Sequence, residues 1–224
     1  MMTLRSSATL TLQRDPLHHS RSAEHHMGMP VSARRWTVGE VRAMQDEEHA
    51  SPRFELIDDE LLVTPSPVRA HQRAVLRIVA ALDAYVATLG VGVVEISPAD
   101  IRLTPETIVQ PDVFVSPLVG GRVSLDWRDT TSLLLAVEIL SPSSMRADRV
   151  IKRRFYARHD VDEYWVVDLD ARIVERTRRG EERPEILDVT LAWTPTGATA
   201  PLVVDLIALF AAITGVLSSS PEST

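Results

Sequence analysis

Hydrophobic residues recur along this chain with two different periods, and these periods predict alternating helices and strands. Thr37 followed by Glu40 is a capping-box spacing that predicts a short first helix. Apolar residues three and four positions apart predict a long second helix that ends near Gly90. A further helix is expected over residues 144–159, and a last one should follow Asp205 as its cap.

Short runs of β-branched and aromatic residues predict strands between these helices. Residues 54–57 and 60–63, separated by two aspartates, predict a β-hairpin. Further strands are expected at 91–96, 100–103, 109–115, 133–140 and 164–167, with two more β segments near Ile173 and Val189. This order predicts an α/β fold in which helices flank a central β-sheet.

The composition is typical of one globular domain. The chain has 224 residues, 45% of them hydrophobic. We expect residues 1–34 to be a disordered extension, 35–215 to form the domain and 216–224 to be a flexible tail. No apolar run reaches the roughly 18 residues of a membrane span, and cysteine is absent, which excludes thiolate metal sites and cysteine nucleophiles. A cytoplasmic protein without membrane contact is expected.

Charge narrows the function classes further. The formal net charge of -7 argues against a protein that coats nucleic acid without specificity. Residues 146–158 are nevertheless basic, with Asp148 as their single acid. Within this stretch lies Lys152, the only lysine of the chain, which otherwise uses arginine for its positive charges. A compact ammonium can approach a small reacting centre in a way that a guanidinium cannot, although coding bias explains a lone lysine equally well.

Two acids interrupt predicted buried strands. Glu138 lies within an otherwise apolar run, and Asp112 follows a proline among strand-forming residues. A buried carboxylate requires a cation, a metal or a proton. For either acid alone, an ion pair with arginine is the simpler interpretation. Together they favour a cleft that binds a hard divalent cation such as Mg²⁺ or Mn²⁺.

Lys152 could reach this cleft from the helix that follows. Asp148, Lys152 and Tyr156 are four residues apart and share one helix face, while a neighbouring apolar stripe would dock on the sheet. Taken alone, Asp148 and Lys152 would form an ordinary ion pair on a solvated helix face.

Several motifs occur in a characteristic order: FELID at 54–58, His71, QPD at 110–112, VEILSPS at 137–143, and EYWVVD at 163–168. Together with Asp148, Lys152 and Tyr156 they resemble the bacterial restriction endonuclease family often called Uma-two. That family belongs to the PD-(D/E)XK nuclease superfamily, and the resemblance spans roughly residues 36–213.

The resemblance implies a restriction-endonuclease-like sheet in which Asp112 and Glu138 bind the metal, with the backbone carbonyl of Ile139 as a further ligand. The third position of the superfamily signature holds Leu140 instead of lysine. Lys152, on the following helix, would supply the missing group. Asp59 stands where the family usually has glycine, which concerns only the hairpin turn.

Other residues are second-rank candidates that could enter the cleft or be structural: Glu55, Glu60, His71, Asp148 and Tyr156. Arg146, Arg149 and Arg153 would hold DNA phosphates, although they could also balance the acids of the chain. The sequence thus predicts a Mg²⁺- or Mn²⁺-dependent endonuclease that hydrolyses DNA, with a homodimer expected because two strands must be cut. The alternative is an inactive nucleic-acid-binding or assembly module on the same fold.

Overall fold

A computed structural model of the chain describes residues 34–47 and 52–215. Helix α1, Val38–Glu47, begins at the predicted capping box. The backbone N–H of Thr37 donates to Oε2 of Glu40 at 2.9 Å, and the Glu40 N–H donates back to Oγ1 of Thr37 at 3.3 Å. These reciprocal bonds satisfy N–H groups that have no partner within the helix, and they confirm the predicted start.

The predicted hairpin is present as β1, Arg53–Ile57, and β2, Glu60–Thr64, paired antiparallel. Asp58 and Asp59 form its turn with φ angles of 50° and 65°. Two successive positive φ angles match the twist of the flanking strands, so this turn favours Asn, Asp or Gly.

Helix α2, Arg69–Leu89, is the longest helix and ends where the sequence predicts. Gly90 adopts the left-handed conformation, with φ 63°, and its N–H donates to the carbonyl of Val86. This is a common way to end a helix, because glycine has no side chain to oppose the left-handed backbone.

Six strands form the central mixed sheet, in the order β3-β4-β5-β6-β7-β8. Strands β5 and β6 pair in parallel, and all other neighbours pair antiparallel. The strand bounds are Gly92–Ile96 for β3, Val113–Pro117 for β4, Leu135–Ile139 for β5, Glu163–Asp168 for β6, Ile173–Arg178 for β7 and Glu185–Leu187 for β8. Every residue of β5 is buried, as its apolar sequence predicts.

A helical crossover joins the parallel strands β5 and β6, as parallel pairing requires. It consists of a π-helical turn, Ala147–Lys152, followed by α3, Arg153–Arg158. The crossover therefore occupies the predicted helix of residues 144–159 but is not a regular α-helix throughout. Trp127–Asp129 forms a short 3₁₀ turn in the connection between β4 and β5.

Two smaller elements complete the fold. Strands β9, Thr190–Trp193, and β10, Leu202–Asp205, pair antiparallel outside the main sheet. Helix α4, Leu206–Thr214, follows directly, and Oδ1 of Asp205 accepts a hydrogen bond from the Ala208 N–H at 2.9 Å. The predicted cap of the last helix is thus confirmed.

The predicted strand at 100–103 is wrong, and the one at 109–115 begins too early. Only an isolated bridge between Ile101 and Val109 is present there. Proline has no N–H to donate to a strand ladder, so Pro111 prevents regular pairing before Val113. Asp112 consequently lies just before β4 and not inside it.

Buried side chains fill both faces of the sheet. Helices α2 and α4 cover one face, which carries Val113, Val137 and Trp165. The hairpin and the crossover cover the other face, where Ile57 and Phe155 pack against Phe114. A mixed sheet flanked by helices confirms the predicted α/β class.

Two sequence predictions concern the chain ends. The predicted flexible tail at 216–224 lies outside the described residues, as does the predicted extension at 1–34 except for Arg34. Across the described part of the chain, no helix is both long and apolar enough to cross a membrane.

Candidate active site

Asp112, just before β4, and Glu138, within the neighbouring strand β5, line the same cleft. In the antiparallel pairing of β4 with β5, Val113 lies opposite Val137. Asp112 directly precedes Val113 and Glu138 directly follows Val137, so both acids lie at the same end of this pairing. Because side chains alternate along a strand, Glu138 points away from the face of Val137 and toward the crossover, where Nζ of Lys152 lies 2.9 Å from its Oε1. The Asp112 side chain contacts both the hairpin, through Arg53, and helix α2, through His71.

Both carboxylate oxygens of buried Asp112 have partners. Oδ2 accepts hydrogen bonds from Nε2 of His71 and from the backbone N–H of Ile139, each at 2.9 Å. Oδ1 lies 2.9 Å from Nη2 of Arg53. Burial by itself would raise the pKa of Asp112, but His71, Arg53 and the Ile139 N–H favour the ionised form and lower that pKa to about 2.

Lys152 connects Glu138 to two further buried acids. Its Nζ lies 2.7 Å from Oε2 of Glu55, 2.9 Å from Oε1 of Glu138 and 3.6 Å from Oδ1 of Asp148. The side chain of Lys152 is only 3% exposed. Its ammonium has three donors, so one lysine can serve several carboxylates at once.

The charges of this cluster shift the titration of its members. Burial opposes the protonated form of Lys152, but attraction to Glu138, Glu55 and Asp148 outweighs it and raises the pKa of Lys152 well above its ordinary value. Burial raises the pKa of Glu138 well above the ordinary value, an effect that Lys152 opposes and the neighbouring acids reinforce. Lys152 is therefore a positively charged hydrogen-bond donor at neutral pH and not a proton acceptor.

The helical crossover positions Asp148, Lys152 and Tyr156 over the sheet. All three are buried, so the sequence alternative of a solvated ion pair is wrong. The hydroxyl of Tyr164, from β6, donates to the backbone carbonyl of Asp148 at 3.1 Å. Phe155 is fully buried and packs the crossover against the sheet, as the apolar stripe of the predicted helix indicates.

Of the remaining second-rank candidates, the structure brings two into the cluster. Glu55, from β1, also accepts a hydrogen bond from the backbone N–H of Gln110 at 2.7 Å, and His71, from α2, contacts Asp112. Glu60 lies at the exposed start of β2, where Nη1 of Arg146 is 3.1 Å from its Oε1.

The three arginines predicted to hold phosphates have different surroundings. Arg146 is exposed and paired with Glu60. Arg149 lies 2.5 Å from Oε1 of Glu175 and 2.7 Å from Oδ2 of Asp168, so its guanidinium ties the crossover to β6 and β7. Arg153 is half-buried and has no ion pair within the described part of the chain. Arg153 is therefore the one of the three whose guanidinium is not already paired with an acid.

Sequence reasoning missed Arg53. It opens β1, two residues before Glu55, and its side chain is 18% exposed. Strand alternation could have indicated its role. Positions 53 and 55 of a strand share one face, so Arg53 and Glu55 point to the same side. Arg53 is in contact with Asp112, a residue 59 positions later, which no local pattern reveals.

A cleft of about 380 Å³ opens onto the acids. The cluster at its base includes Asp112, Glu138 and Lys152. Its walls come mainly from two segments, 64–68 and 140–144, rich in proline and serine. Leu140 also lines the cleft and packs on the sheet, so the third position of the nuclease signature is apolar here.

The residues of the cleft fit a divalent cation in charge and chemistry. Among the described residues, no three His, Asp or Glu side chains are grouped as a complete set of metal ligands. Mg²⁺, however, commonly takes one or two protein carboxylates and completes its shell with water and substrate phosphate. Asp112 and Glu138 provide two such carboxylates. Together with Glu55 and Asp148, the buried acids outnumber the permanent cations, which are Arg53 and Lys152.

The fold is similar to that of a solved structure. A crystal structure described as "a putative nuclease belonging to DUF820", from Anabaena variabilis, superposes with a TM-score of 0.61. The two sequences are 19% identical, and the match covers 72% of this chain and 92% of the other. This chain thus shares the mixed α/β fold of that structure.

The sequence places it in a family. Residues 38–205 match the model of the Uma2 family, described as "Putative restriction endonuclease". The chain belongs to the Uma2 family. No curated protein matches it.

Proposed function

We propose that this protein is a metal-dependent endonuclease that hydrolyses phosphodiester bonds of DNA. The observation that carries the proposal is the juxtaposition of Asp112 and Glu138 at the base of a cleft, with Lys152 bound to Glu138. Membership of a restriction endonuclease family supports the same reaction class.

Asp112 and Glu138 would hold Mg²⁺ or Mn²⁺, with the carbonyl of Ile139 as a third ligand. A divalent cation at this position would polarise a phosphoryl oxygen and lower the pKa of water. The protein groups contribute orientation and charge. His71 and the Ile139 N–H fix the Asp112 carboxylate, and the Lys152 ammonium presents a permanent positive charge to the phosphate as negative charge develops on it.

The test is cleavage of supercoiled, linear and single-stranded DNA with Mg²⁺, Mn²⁺ or Co²⁺ in turn. Asp112→Asn and Glu138→Gln keep the shape of each side chain, and each should reduce cleavage at least about a hundredfold. Asp160→Asn, at an exposed ion pair with Arg179, is the matched control and should cleave normally. Absence of cleavage by the wild type with every metal and substrate would contradict the proposal.

A second candidate is a catalytically inactive module that binds nucleic acid or assembles with other proteins. Both oxygens of Asp112 are already paired with protein groups, which is what a purely structural ion-pair network requires. Mobility-shift titration at low salt separates the candidates. A binding module retains DNA in the presence of EDTA, and Asp112→Asn leaves that affinity unchanged.

We further propose that the enzyme acts as a homodimer in the cytoplasm. Two copies would present two clefts, one for each strand of a duplex. The absence of cysteine suits a reducing compartment. Sedimentation equilibrium should give twice the chain mass of 24.9 kDa, and a monomer at all concentrations would exclude the dimer.

A further inference from the structure

The two carboxylate oxygens of Asp112 have different kinds of partner, and only Oδ1 is paired with a flexible side chain, that of Arg53. The partners of Oδ2 belong to rigid elements: the His71 ring is held on α2, and the Ile139 N–H is part of β5. Oδ1 is paired with Nη2 of Arg53, at the end of a long side chain. A cation that used Asp112 could thus reach Oδ1 only after the Arg53 guanidinium moved.

Arg53 lies between two cavities. One is the cleft above Asp112, and the other is a neighbouring cavity of about 370 Å³. Asp46 and Asp100 line this second cavity. Oδ1 of Asp100 accepts hydrogen bonds from Nε2 of Gln110 at 2.8 Å and from Nε2 of Gln45 at 3.1 Å, and no hydrogen bond to its Oδ2 is found among the described residues. A guanidinium that left Asp112 would therefore find acidic groups on its other side.

The guanidinium of Arg53 is incompletely bonded in its present position. Its Nε is buried and has no hydrogen-bond partner within the described residues. A buried N–H without a partner is unfavourable, so the free-energy cost of moving the guanidinium away from this position is reduced. Lys152, in contrast, lies within 3 Å of two acids and is almost fully buried.

We propose that Arg53 is a displaceable counter-ion of Asp112. It neutralises the carboxylate when the site holds no divalent cation, and it swings toward Asp100 when a cation binds. This role rests on the proposed function, because it assumes that Asp112 binds a cation. Arg53 and the cation then compete for one oxygen, so Arg53 sets the concentration of metal at which the site fills.

The test measures Mn²⁺ affinity of the full chain by isothermal titration calorimetry, without DNA. Arg53→Gln removes the competing charge and should tighten Mn²⁺ binding about tenfold or more, since a hydrogen bond between charged groups no longer has to be broken. Arg53→Lys, which keeps the charge with fewer donors, should fall between the wild type and Arg53→Gln. Arg158→Gln, at an exposed pair with Asp58, is the control and should bind Mn²⁺ as the wild type does.

A second variant probes the same exchange without altering Arg53. Asp100→Asn makes the second cavity less acidic, so it should weaken Mn²⁺ binding by about threefold or more. Circular dichroism would show whether Arg53→Gln folds. If it does not, Asp100→Asn still tests the exchange. Unchanged affinity in Asp100→Asn would overturn the swing toward Asp100.

Equal or weaker Mn²⁺ binding by folded Arg53→Gln would overturn the competition, and so would the absence of Mn²⁺ binding in both proteins. The readout is independent of catalysis. If Arg53→Gln binds Mn²⁺ more tightly but no variant cleaves DNA, the role of Arg53 stands and the proposed endonuclease activity fails.

Discussion

Lys152 carries the positive charge on which the buried acids of the cleft depend. Its ammonium contacts Glu55 and Glu138 within 3 Å, with Asp148 slightly farther away. Removal of a buried cation leaves its partners unpaired, which typically costs about 3–5 kcal/mol. Loss of the positive charge at this position should therefore destabilise the protein.

Lys152→Arg should leave a folded protein that has lost about a hundredfold or more of its cleavage activity. A guanidinium is planar and wider than an ammonium, so it cannot direct its donors to the same three acids in a pocket closed to solvent. Cleavage rates at saturating Mg²⁺ would measure the effect, with Arg158→Lys as a surface control. Full activity of Lys152→Arg would show that the position requires only positive charge.

Asp112 should contribute to stability at neutral pH and lose that contribution in acid. Its folded-state pKa of about 2 lies below the ordinary value of 3.8, so protons bind more readily to the unfolded chain. The contribution, about 2 kcal/mol, is present above about pH 4 and disappears as the pH falls toward 2.

The free energy of unfolding, measured in urea with EDTA, provides the check. The advantage of the wild type over Asp112→Asn should shrink by about 2 kcal/mol between pH 5 and pH 2. A difference independent of pH in this range would mean that Asp112 titrates normally in the folded protein.

At the scale of elements, the hairpin and the crossover contribute most of the charged side chains that surround Glu138 on the sheet. The hairpin contributes Arg53 and Glu55, and the crossover contributes Asp148 and Lys152. Leu56 ties the hairpin to the loop before β4, because its N–H and carbonyl both bond to Ile108, at 2.8 and 3.0 Å. These two elements pack on the same face of the sheet, so Glu55 of the hairpin and Lys152 of the crossover meet beside Glu138.

The hairpin turn should gain stability from Asp59→Gly. The positive φ of 65° at Asp59 is costly for a residue with a side chain, although glycine adds entropy to the unfolded chain. The net gain expected is about 0.5–1 kcal/mol in the free energy of unfolding by urea.

Gly90→Ala is the matched test in the opposite direction. Gly90 has φ 63°, and a Cβ added there would meet no atom within 4 Å. Only backbone strain changes, so this variant should lose about 1 kcal/mol. If both substitutions changed the free energy of unfolding in the same direction, backbone conformation would not control stability at these turns.

At the scale of the whole molecule, the net charge is -7, so the proposed DNA binding would depend on a few local cations. Arg149 is committed to Asp168 and Glu175, whereas Arg153 is half-buried and has no acidic partner within the described residues. Of the two, Arg153 is thus the better candidate to contact a phosphate in the proposed DNA complex.

Arg153→Gln should make the salt dependence of DNA binding shallower, by about 0.9 in the slope of log affinity against log salt. Arg149→Gln should leave the slope unchanged and instead lower the free energy of unfolding by about 1 kcal/mol or less, since its guanidinium is partly exposed. Fluorescence anisotropy in EDTA at several KCl concentrations measures the slopes. A change of slope in Arg149→Gln would assign Arg149 to DNA after all.

The sequence by itself determined the features that depend on neighbouring residues. Helix ends at Thr37, Gly90 and Asp205 follow from caps, and the burial of β5 follows from the apolar residues on both sides of Glu138. The spacing of Lys152 from Asp148 also places both residues on one helix face. Periodicity encodes these properties locally, over a few turns or one strand.

Only the tertiary structure decided which charges meet. Glu55 enters the cluster while Glu60, five residues later, faces solvent, because Glu55 lies in the buried part of β1 and Glu60 stands beside the hairpin turn. Arg53 reaches Asp112 across 59 residues of chain. Strand register and the docking of the hairpin and crossover produce such contacts, and no short stretch of sequence contains them.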